Sequence, residues 1–162
     1  MTIDFFKKEC QEKTTAEQFG LMDLDDKTPA YVNKTDKEDW IAIIHNEKQQ
    51  EITFTAIDNC IPIYRADGNM ESRCDGMLTH ANNIDFVELK EVRKDWIEGG
   101  IKQLKKTIEI FSANHQLADY TKKRAFLANK KHPQFKYSHK EQMQQFRNEL
   151  GVRLIIENVI KI

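Results

Sequence analysis

The chain has 162 residues, of which 40% are hydrophobic, and this length and composition predict one globular domain with a buried core. The formal net charge of -1 excludes the global basic field of many nucleic-acid-binding proteins, so such a partner must meet a local patch. The three cysteines, Cys10, Cys60 and Cys74, have no zinc-binding spacing, and their odd number predicts reduced thiols in the cytoplasm. No segment resembles a signal peptide or a membrane span, so we expect a cytoplasmic protein with no membrane contact.

The N-terminal segment, residues 2–19, is predicted to form a helix because Ile3, Phe6 and Cys10 recur at helical spacing. Three acidic side chains lie along this helix: Glu9, Glu12 and Glu17. The simplest interpretation of these acids is a solvated helical face. Residues 22–39 are acidic and polar, and they are predicted to form an irregular connection.

Two segments rich in β-branched and aromatic residues follow, WIAIIH at 40–45 and EITFTAID at 51–58. They predict a hairpin through NEKQQ, although the first segment could also be a short helix. In the second segment Asp58 ends an apolar row that contains Ile52 and Phe54. Asp58 is therefore an auxiliary candidate for a metal site, with a turn or cap role equally open.

Segments 61–65 and 71–78 flank the turn signal Ala66–Asn69. They predict an antiparallel meander that runs into the strand carrying Asp75. Arg73 alternates with Asp75 and would face the same side, where it could contact a phosphate or neutralise an acid.

The stretch 73–90, RCDGMLTHANNIDFVELK, predicts the hairpin around which the chain is organised. A register that sets Leu78 against Asp85 also places Asp75 opposite Glu88, so two carboxylates meet on one face.

The second strand of this hairpin carries apolar residues on both faces, which is typical of a strand covered on both sides. Glu88 and Lys90 share a face with Ile84 and Phe86, so we expect them to line a cleft at the end of the strand. Two carboxylates beside an ammonium suit a divalent cation and an anionic substrate.

Asp75, followed after twelve residues by Glu88-Leu89-Lys90, resembles the motif of the PD-(D/E)xK nuclease superfamily. The resemblance implies that Asp75, Glu88 and the backbone carbonyl of Leu89 hold Mg²⁺ or Mn²⁺. It also implies that Lys90 orients or activates the attacking water. Cys74 stands where the family has a proline.

The same resemblance implies an α/β fold with α+β character, the restriction-endonuclease-like core. Such a core is a mixed central sheet in which an antiparallel meander is followed by a helix and a parallel strand, flanked by helices. The motif-bearing part would span about residues 51–128 of a single domain, 1–162. An acid of the first helix can join the metal site in this family, and homodimers occur.

A helix is predicted from Trp96 or Gly100 to Phe111, with an apolar face and a lysine-rich opposite face. Gln103 and Leu104 match the Gln-Leu that several branches of the family carry on this helix. The resemblance implies that Gln103 reaches back to the active site, and a glutamine at the border of the two faces is the alternative.

The segment 120–128 predicts a strand that pairs in parallel through the helical crossover. Residues 129–140 are basic and aromatic, a composition that can hold phosphates and stack bases, with a solvated loop as the alternative. The predicted nucleic-acid-binding residues are Lys122, Lys123, Arg124, Lys130, Lys131 and Lys136.

The C-terminal part predicts a helix over 138–150, with Ser138 as N-cap and Gly151 as its stop. Residues 152–162 are strongly apolar and predict a final buried strand.

These observations lead to the hypothesis of a metal-dependent nuclease that acts on DNA or RNA, with DNA the first expectation. A noncatalytic nucleic-acid- or protein-binding module on the same fold is the alternative. A hydrolase of another substrate, with His80 as a metal ligand, is a third hypothesis, and a solvent-exposed loop position is the simpler interpretation of His80.

Overall fold

The computed structural model describes residues 2–24, 26–131 and 139–162. Within these residues the chain forms ten strands: β1 (Gln11–Thr14), β2 (Gln18–Met22), β3 (Tyr31–Asn33), β4 (Ala42–His45), β5 (Ile52–Ala56), β6 (Gly76–His80), β7 (Asn83–Lys90), β8 (Lys122–Asn129), β9 (Arg153–Ile155) and β10 (Val159–Lys161). It also forms two α-helices, α1 (Ile97–Asn114) and α2 (Lys140–Leu150). Short 3₁₀ turns cover Lys8–Cys10, Lys37–Asp39 and Leu117–Asp119.

The strands form two mixed sheets. The larger sheet has the order β1-β5-β6-β7-β8-β9, in which β1, β5, β6 and β7 pair antiparallel and β8 and β9 continue in parallel. The smaller sheet has the order β10-β4-β2-β3, with β10 parallel to β4. The protein therefore has a mixed α/β architecture of α+β character.

Two hydrophobic clusters cover the two faces of the larger sheet. One contains Phe86 of β7 together with Leu104 and Phe111 of α1 and Phe146 of α2. The other contains residues of both sheets, among them Phe19, Leu21, Phe54, Val87 and Phe126. Helices cover one face, and the smaller sheet covers the other. The prediction of a mixed sheet flanked by helices holds for the first face, and the sequence analysis did not predict the second sheet.

The local predictions around the central hairpin are confirmed. Strands β6 and β7 pair with Leu78 opposite Asp85, the register derived from the sequence. Helix α1 follows, and β8 then pairs in parallel with β7 along its whole length. The apolar residues of β7 are buried on both faces, because α1 and the smaller sheet lie on opposite sides of it.

The predicted N-terminal helix is wrong, because residues 2–19 form a short 3₁₀ turn, β1 and the start of β2. Strand β1 pairs antiparallel with β5, and β2 pairs with β4. The three residues at helical spacing were too few to define a face, and the buried Phe5 lies outside that stripe. The polar connection 22–39 contains β3 in addition to irregular backbone.

The predicted hairpin of 40–45 with 51–58 is also wrong, although both strands exist. Strand β4 belongs to the smaller sheet and β5 to the larger one. The buried Asn46 organises the crossing between them: its side chain donates to the carbonyls of Ala16 and Gln50 and accepts from the Gln50 N–H. A connection fixed in this way carries the chain between sheets instead of reversing it within one.

Segment 61–71 forms a hairpin arm with one isolated bridge, Tyr64 to Met70, instead of the predicted strand ladder. The predicted turn at 66–69 is present: the Arg65 N–H donates to the Asn69 carbonyl and Gly68 has a φ of +85°.

The predicted final strand is two short strands in different sheets, β9 beside β8 and β10 beside β4. Asn158, between them, is held by reciprocal hydrogen bonds with the backbone of Asn129. Gly151 ends α2 in a left-handed conformation, as predicted, whereas the proposed cap Ser138 lies outside the described residues.

The prediction of three reduced thiols is wrong for two of them, since Cys10 and Cys60 form a disulfide and Cys74 is a buried free thiol. Their separation along the chain gave no indication of the pairing. In the part of the chain that is described, no helix is long and apolar enough to cross a bilayer.

Candidate active site

A cleft of about 550 Å³ opens where β5 and β7 end and β6 begins. Its acidic lining residues are Asp23, Asp39, Asp58, Asp75, Glu88 and Glu91, and its basic ones are Lys90 and Lys130. The excess of carboxylates gives the cleft a negative potential, which attracts cations.

Asp75 and Glu88 lie at the closed end of this cleft, 7% and 2% exposed. The Asp75 backbone N–H donates to Glu88 Oε1 at 3.2 Å, and the Leu89 N–H donates to Asp75 Oδ2 at 2.7 Å. These bonds continue the β6–β7 register by one residue pair and fix the two carboxyl groups side by side. Gly76 lets β6 lie close against β5, because a Cβ there would stand 2.5 Å from the Phe54 ring and 2.8 Å from the Thr55 carbonyl oxygen.

Lys90, the last residue of β7, lies beside this pair. Its Nζ is 2.9 Å from Glu88 Oε2 and donates to Gln103 Oε1 at 2.7 Å. Gln103, on α1, donates in turn to the Arg73 carbonyl at 3.3 Å. The structure thus joins Asp75, Glu88, Lys90 and Gln103 in one constellation.

Cys74 has a structural reason to replace the proline of the resembled motif. Its backbone N–H donates to Thr107 Oγ1 at 2.7 Å, and that hydroxyl donates to the Gln103 carbonyl at 2.8 Å. A proline has no N–H and could not make the first of these bonds. The buried Thr107 therefore ties the segment before Asp75 to the helix that carries Gln103.

The two carboxyl groups are poorly compensated. Burial raises the pKa of Asp75 well above its usual range, and the Glu88 charge and Asp23 raise it further against the opposing Leu89 N–H. Burial likewise raises the pKa of Glu88 to about 7, although Lys90 opposes that shift. Both shifts share one direction, so the pair retains a proton at a pH where isolated carboxyl groups are ionised.

Asp23 is the residue of this cleft that the sequence analysis missed. It follows β2, lines the cleft and lies close enough to Asp75 to hydrogen-bond with its carboxyl group. Glu12 instead accepts a hydrogen bond from the Val32 N–H. None of the three N-terminal acids considered from the sequence lines the described cleft. Asp58 was selected because it ends a row of apolar residues at alternate positions. Asp23 ends such a row too, after Phe19 and Leu21, so the same criterion would have found it.

The auxiliary residues Asp58 and Arg73 form an ion pair with each other, in which Arg73 Nη2 lies 2.8 Å from Asp58 Oδ1. Arg73 is buried and also donates to the Ile61 carbonyl. Of the two roles predicted for Arg73, neutralisation of an acid is the one present in the structure, and the acid is Asp58. Asp58 lines the cleft, and its charge contributes to the raised pKa of Glu88.

The predicted nucleic-acid-binding residues lie in two places. Lys122 and Lys123 begin β8 opposite Asn83 and Ile84, whereas the site lies beside the other end of this strand, roughly 23 Å away at strand geometry. Lys130 lines the cleft, with Nζ 3.6 Å from Asp39 Oδ1.

The remaining residues of that set are also separated from one another. Arg124 pairs with the buried Asp85. Lys131, just after β8, donates its N–H to Asn129 Oδ1, and Lys136 lies outside the described residues.

His80 is not near the carboxylate pair. It is buried at the far end of β6, where Nε2 lies 3.0 Å from Asp85 Oδ2. Its predicted exposure in a loop is wrong, and its position gives no support to the third hypothesis.

Among the described residues no group of three or more His, Cys, Asp and Glu side chains has an arrangement that could hold a metal. The pair of Asp75 and Glu88 supplies two carboxylates, and Mg²⁺ is commonly bound by one or two carboxylates while it keeps several waters. Of the two adjacent buried carboxyl groups, Glu88 has the Lys90 ammonium 2.9 Å away, and a divalent cation would supply further positive charge to the pair. The residues present therefore fit Mg²⁺ or Mn²⁺.

No protein family, curated protein or solved structure matches this chain in comparisons of sequence and structure. The likeness to the PD-(D/E)xK nucleases thus depends on the motif residues and their arrangement.

Proposed function

We propose that this protein is a metal-dependent nuclease, which hydrolyses phosphodiester bonds of nucleic acid with a restriction-endonuclease-like core. The observation that carries the proposal is the buried Asp75–Glu88 pair, which opens to a cleft and in which Glu88 pairs with Lys90. Such an arrangement destabilises the metal-free protein, and it is chemically useful when a cation and a phosphate occupy the cleft.

The order of elements supports the same proposal. The meander β5–β6–β7, the helix α1 and the parallel strand β8 follow one another as in that core. The acids lie on adjacent strands, and Gln103 contacts Lys90 from the following helix. Each relation is the one that the resemblance implies.

The residues have distinct roles in this proposal. Asp75 and Glu88 would hold Mg²⁺ or Mn²⁺, with the Leu89 carbonyl as an additional oxygen. The bound cation supplies the Lewis acidity that polarises a scissile phosphate and lowers the pKa of a coordinated water.

Lys90 acts directly on the reacting groups. An ammonium has three N–H donors, and those directed to Glu88 and Gln103 leave one for the attacking water or for developing phosphate charge. Gln103 positions Lys90 through its hydrogen bond.

Calorimetric titration with Mg²⁺ and Mn²⁺ tests the proposal, with the native chain compared with the Asp75→Asn, Glu88→Gln double variant. We expect binding to the native chain and none to the double variant. The Lys90→Ala variant should keep most of the metal affinity, since lysine is not a ligand, but lose cleavage by about 10²- to 10³-fold. Lys123→Ala, at the other end of β8, is the matched control and should keep both.

Equal metal binding by the native chain and the double variant would refute the site assignment. Absence of binding in both, measured with an oligonucleotide present and the fold intact, would favour a noncatalytic binding module on the same architecture.

A further inference from the structure

Two of the exposed large hydrophobic side chains of the described residues line this cleft, and the other two lie on the hairpin arm 61–71. Leu24 and Val92 line it and are 56% and 45% exposed. Tyr64 and Met70, the other two, are 63% and 49% exposed on the hairpin arm 61–71. Four exposed apolar groups beside a polar cleft are a feature of a recognition surface.

The hairpin arm connects to the cleft through a chain of side-chain contacts. Met70 Sδ lies 3.8 Å from Arg73 Nη2, and the same nitrogen lies 2.8 Å from Asp58 Oδ1, which lines the cleft. Tyr64 bridges Met70 across the arm, so the two side chains lie on the same face of this hairpin. The Tyr64 side chain is thus accessible from solvent on the arm that Met70 and Arg73 connect to the cleft.

The backbone of Val92, another of the exposed apolar residues, is also held in place. Val92 lies in the connection between β7 and α1, and its carbonyl accepts a hydrogen bond of 2.7 Å from the buried Asn129 side chain. Arg93 and Lys94 follow it and are exposed, as is Arg65 next to Tyr64. Cations are thus dispersed among apolar groups and exposed acids at the rim, where Arg65 lies 3.7 Å from Asp67, and carboxylates line the cleft itself.

This distribution favours one class of substrate. A duplex carries one negative charge per about 1.7 Å and keeps its bases stacked inside, so it would meet carboxylates and offer no ring faces to Tyr64. A single strand carries half that charge density, and its unstacked bases can lie on an aromatic ring while its phosphates meet dispersed cations. The strand positions Lys122 and Lys123, which could attract a duplex, lie at the far end of the sheet.

We propose that the site acts on single-stranded nucleic acid or single-stranded ends, with Tyr64 as the stacking platform and Leu24, Met70 and Val92 as apolar contacts for the bases. This inference rests on the proposed nuclease function, since it takes the Asp75–Glu88 pair as the point to which the strand is delivered. It makes the hairpin arm a specificity element of the same site.

Fluorescence anisotropy tests the inference independently of cleavage. The probes are a labelled oligodeoxynucleotide, the RNA strand of the same sequence and the blunt-ended DNA duplex, each with Mg²⁺ and the noncleaving Lys90→Ala variant. We expect single strands to bind about tenfold or more tightly than the duplex, because base stacking on an aromatic side chain contributes at that level. Adding Tyr64→Ala should weaken single-strand binding by about tenfold, whereas Tyr64→Phe, which keeps the ring, should not change it.

Cleavage by the native chain is measured in parallel with the same probes. Metal-dependent cleavage with equal or stronger binding of the duplex, or with no effect of Tyr64→Ala, would overturn the single-strand inference and leave the nuclease proposal intact. Tyr64-dependent single-strand binding without cleavage would overturn the nuclease proposal and keep the binding surface. If Tyr64→Ala left nucleic-acid binding unchanged but dissociated a homodimer in sedimentation, the surface would be a protein interface and the inference wrong.

Discussion

Strand β7 carries two buried carboxylates whose surroundings differ sharply. Asp85 is fully buried between the sheets, where Arg124 Nε and Nη2 donate to it at 2.6 and 2.9 Å and His80 Nε2 lies at 3.0 Å. Glu88, three residues later, faces the helices, pairs with Lys90 and accepts a hydrogen bond from the backbone of the adjacent Asp75. The first carboxylate is enclosed and compensated, whereas the second is undercompensated and open to a cleft.

The comparison shows that burial of charge alone does not identify a functional site. A buried carboxylate with a bidentate guanidinium is typical of a structural ion pair. Two adjacent buried carboxyl groups, one of which pairs with an ammonium, retain an affinity for positive charge, and the cleft gives a cation access to them. The proposed function depends on this difference.

The largest expected effect on stability comes from removing the ion pair that compensates the charge of Asp85. Arg124→Leu removes two guanidinium hydrogen bonds to Asp85 and one to the Lys161 carbonyl, and it leaves Asp85 buried beside His80. We expect a loss of about 3 to 5 kcal/mol in the free energy of unfolding, measured by urea denaturation.

The Arg124→Leu, Asp85→Asn double variant is the control, and it should recover part of the loss because it removes the unpaired charge. Metal binding at the cleft should persist in both variants under conditions where they are folded. A loss below about 1 kcal/mol would show that Asp85 does not depend on Arg124.

The next largest effect on the free energy of unfolding is a stabilisation, and it concerns the Asp75–Glu88 pair. Asp75→Asn keeps an oxygen for the Leu89 N–H and places an amide donor beside the neighbouring carboxyl groups. We expect it to stabilise the metal-free protein by about 1 to 3 kcal/mol at neutral pH, as measured by urea denaturation in a chelator.

The pH dependence of stability sharpens this test. Because the folded-state pKa values of Asp75 and Glu88 are raised, the folded chain binds more protons than the unfolded chain from about pH 4 upward. The stability of the native chain without metal should therefore fall as pH rises from about 4 to about 7, the pKa of Glu88. The slope should be smaller in Asp75→Asn, and Mg²⁺ should flatten it only in the native chain. Identical slopes in the two chains would contradict the assigned shifts.

The smallest expected effect on the free energy of unfolding concerns Thr107, which positions the segment before Asp75. Thr107→Val removes the hydroxyl that joins the Cys74 N–H to the Gln103 carbonyl, at an expected cost of about 1 to 2 kcal/mol in the free energy of unfolding. Metal affinity should fall several-fold, since Asp75 follows Cys74 directly. Thr107→Ser keeps the hydroxyl and should restore affinity, and an unchanged affinity in Thr107→Val would show that this link does not position Asp75.

The part of the fold that the sequence predicted is the part determined by neighbouring segments. The β6–β7 register follows from alternation and a short turn, and α1 and β8 follow from periodicity and crossover geometry. Sheet membership could not be predicted for β4 and β5, because both have the same β-rich pattern and only distant partners distinguish them.

The candidate site was predicted to a similar extent. Asp75, Glu88, Lys90 and Gln103 come together because they lie on the predicted hairpin and its following helix. Asp23 escaped detection because the sequence analysis divided β2 between a predicted helix and a predicted loop, although Phe19 and Leu21 alternate as in a strand. The disulfide joins segments whose proximity depends on the pairing of β1 with β5.

The smaller sheet has a consequence for the synthesis of this chain. Strand β4 pairs on one side with β2, but its other neighbour, β10, is synthesised much later than β4. Until then the edge of β4 lacks its partner, with unpaired backbone groups that can recruit other strands. Completion of the sheet must therefore wait for translation to reach β10, which makes the nascent chain a substrate for chaperones during that interval.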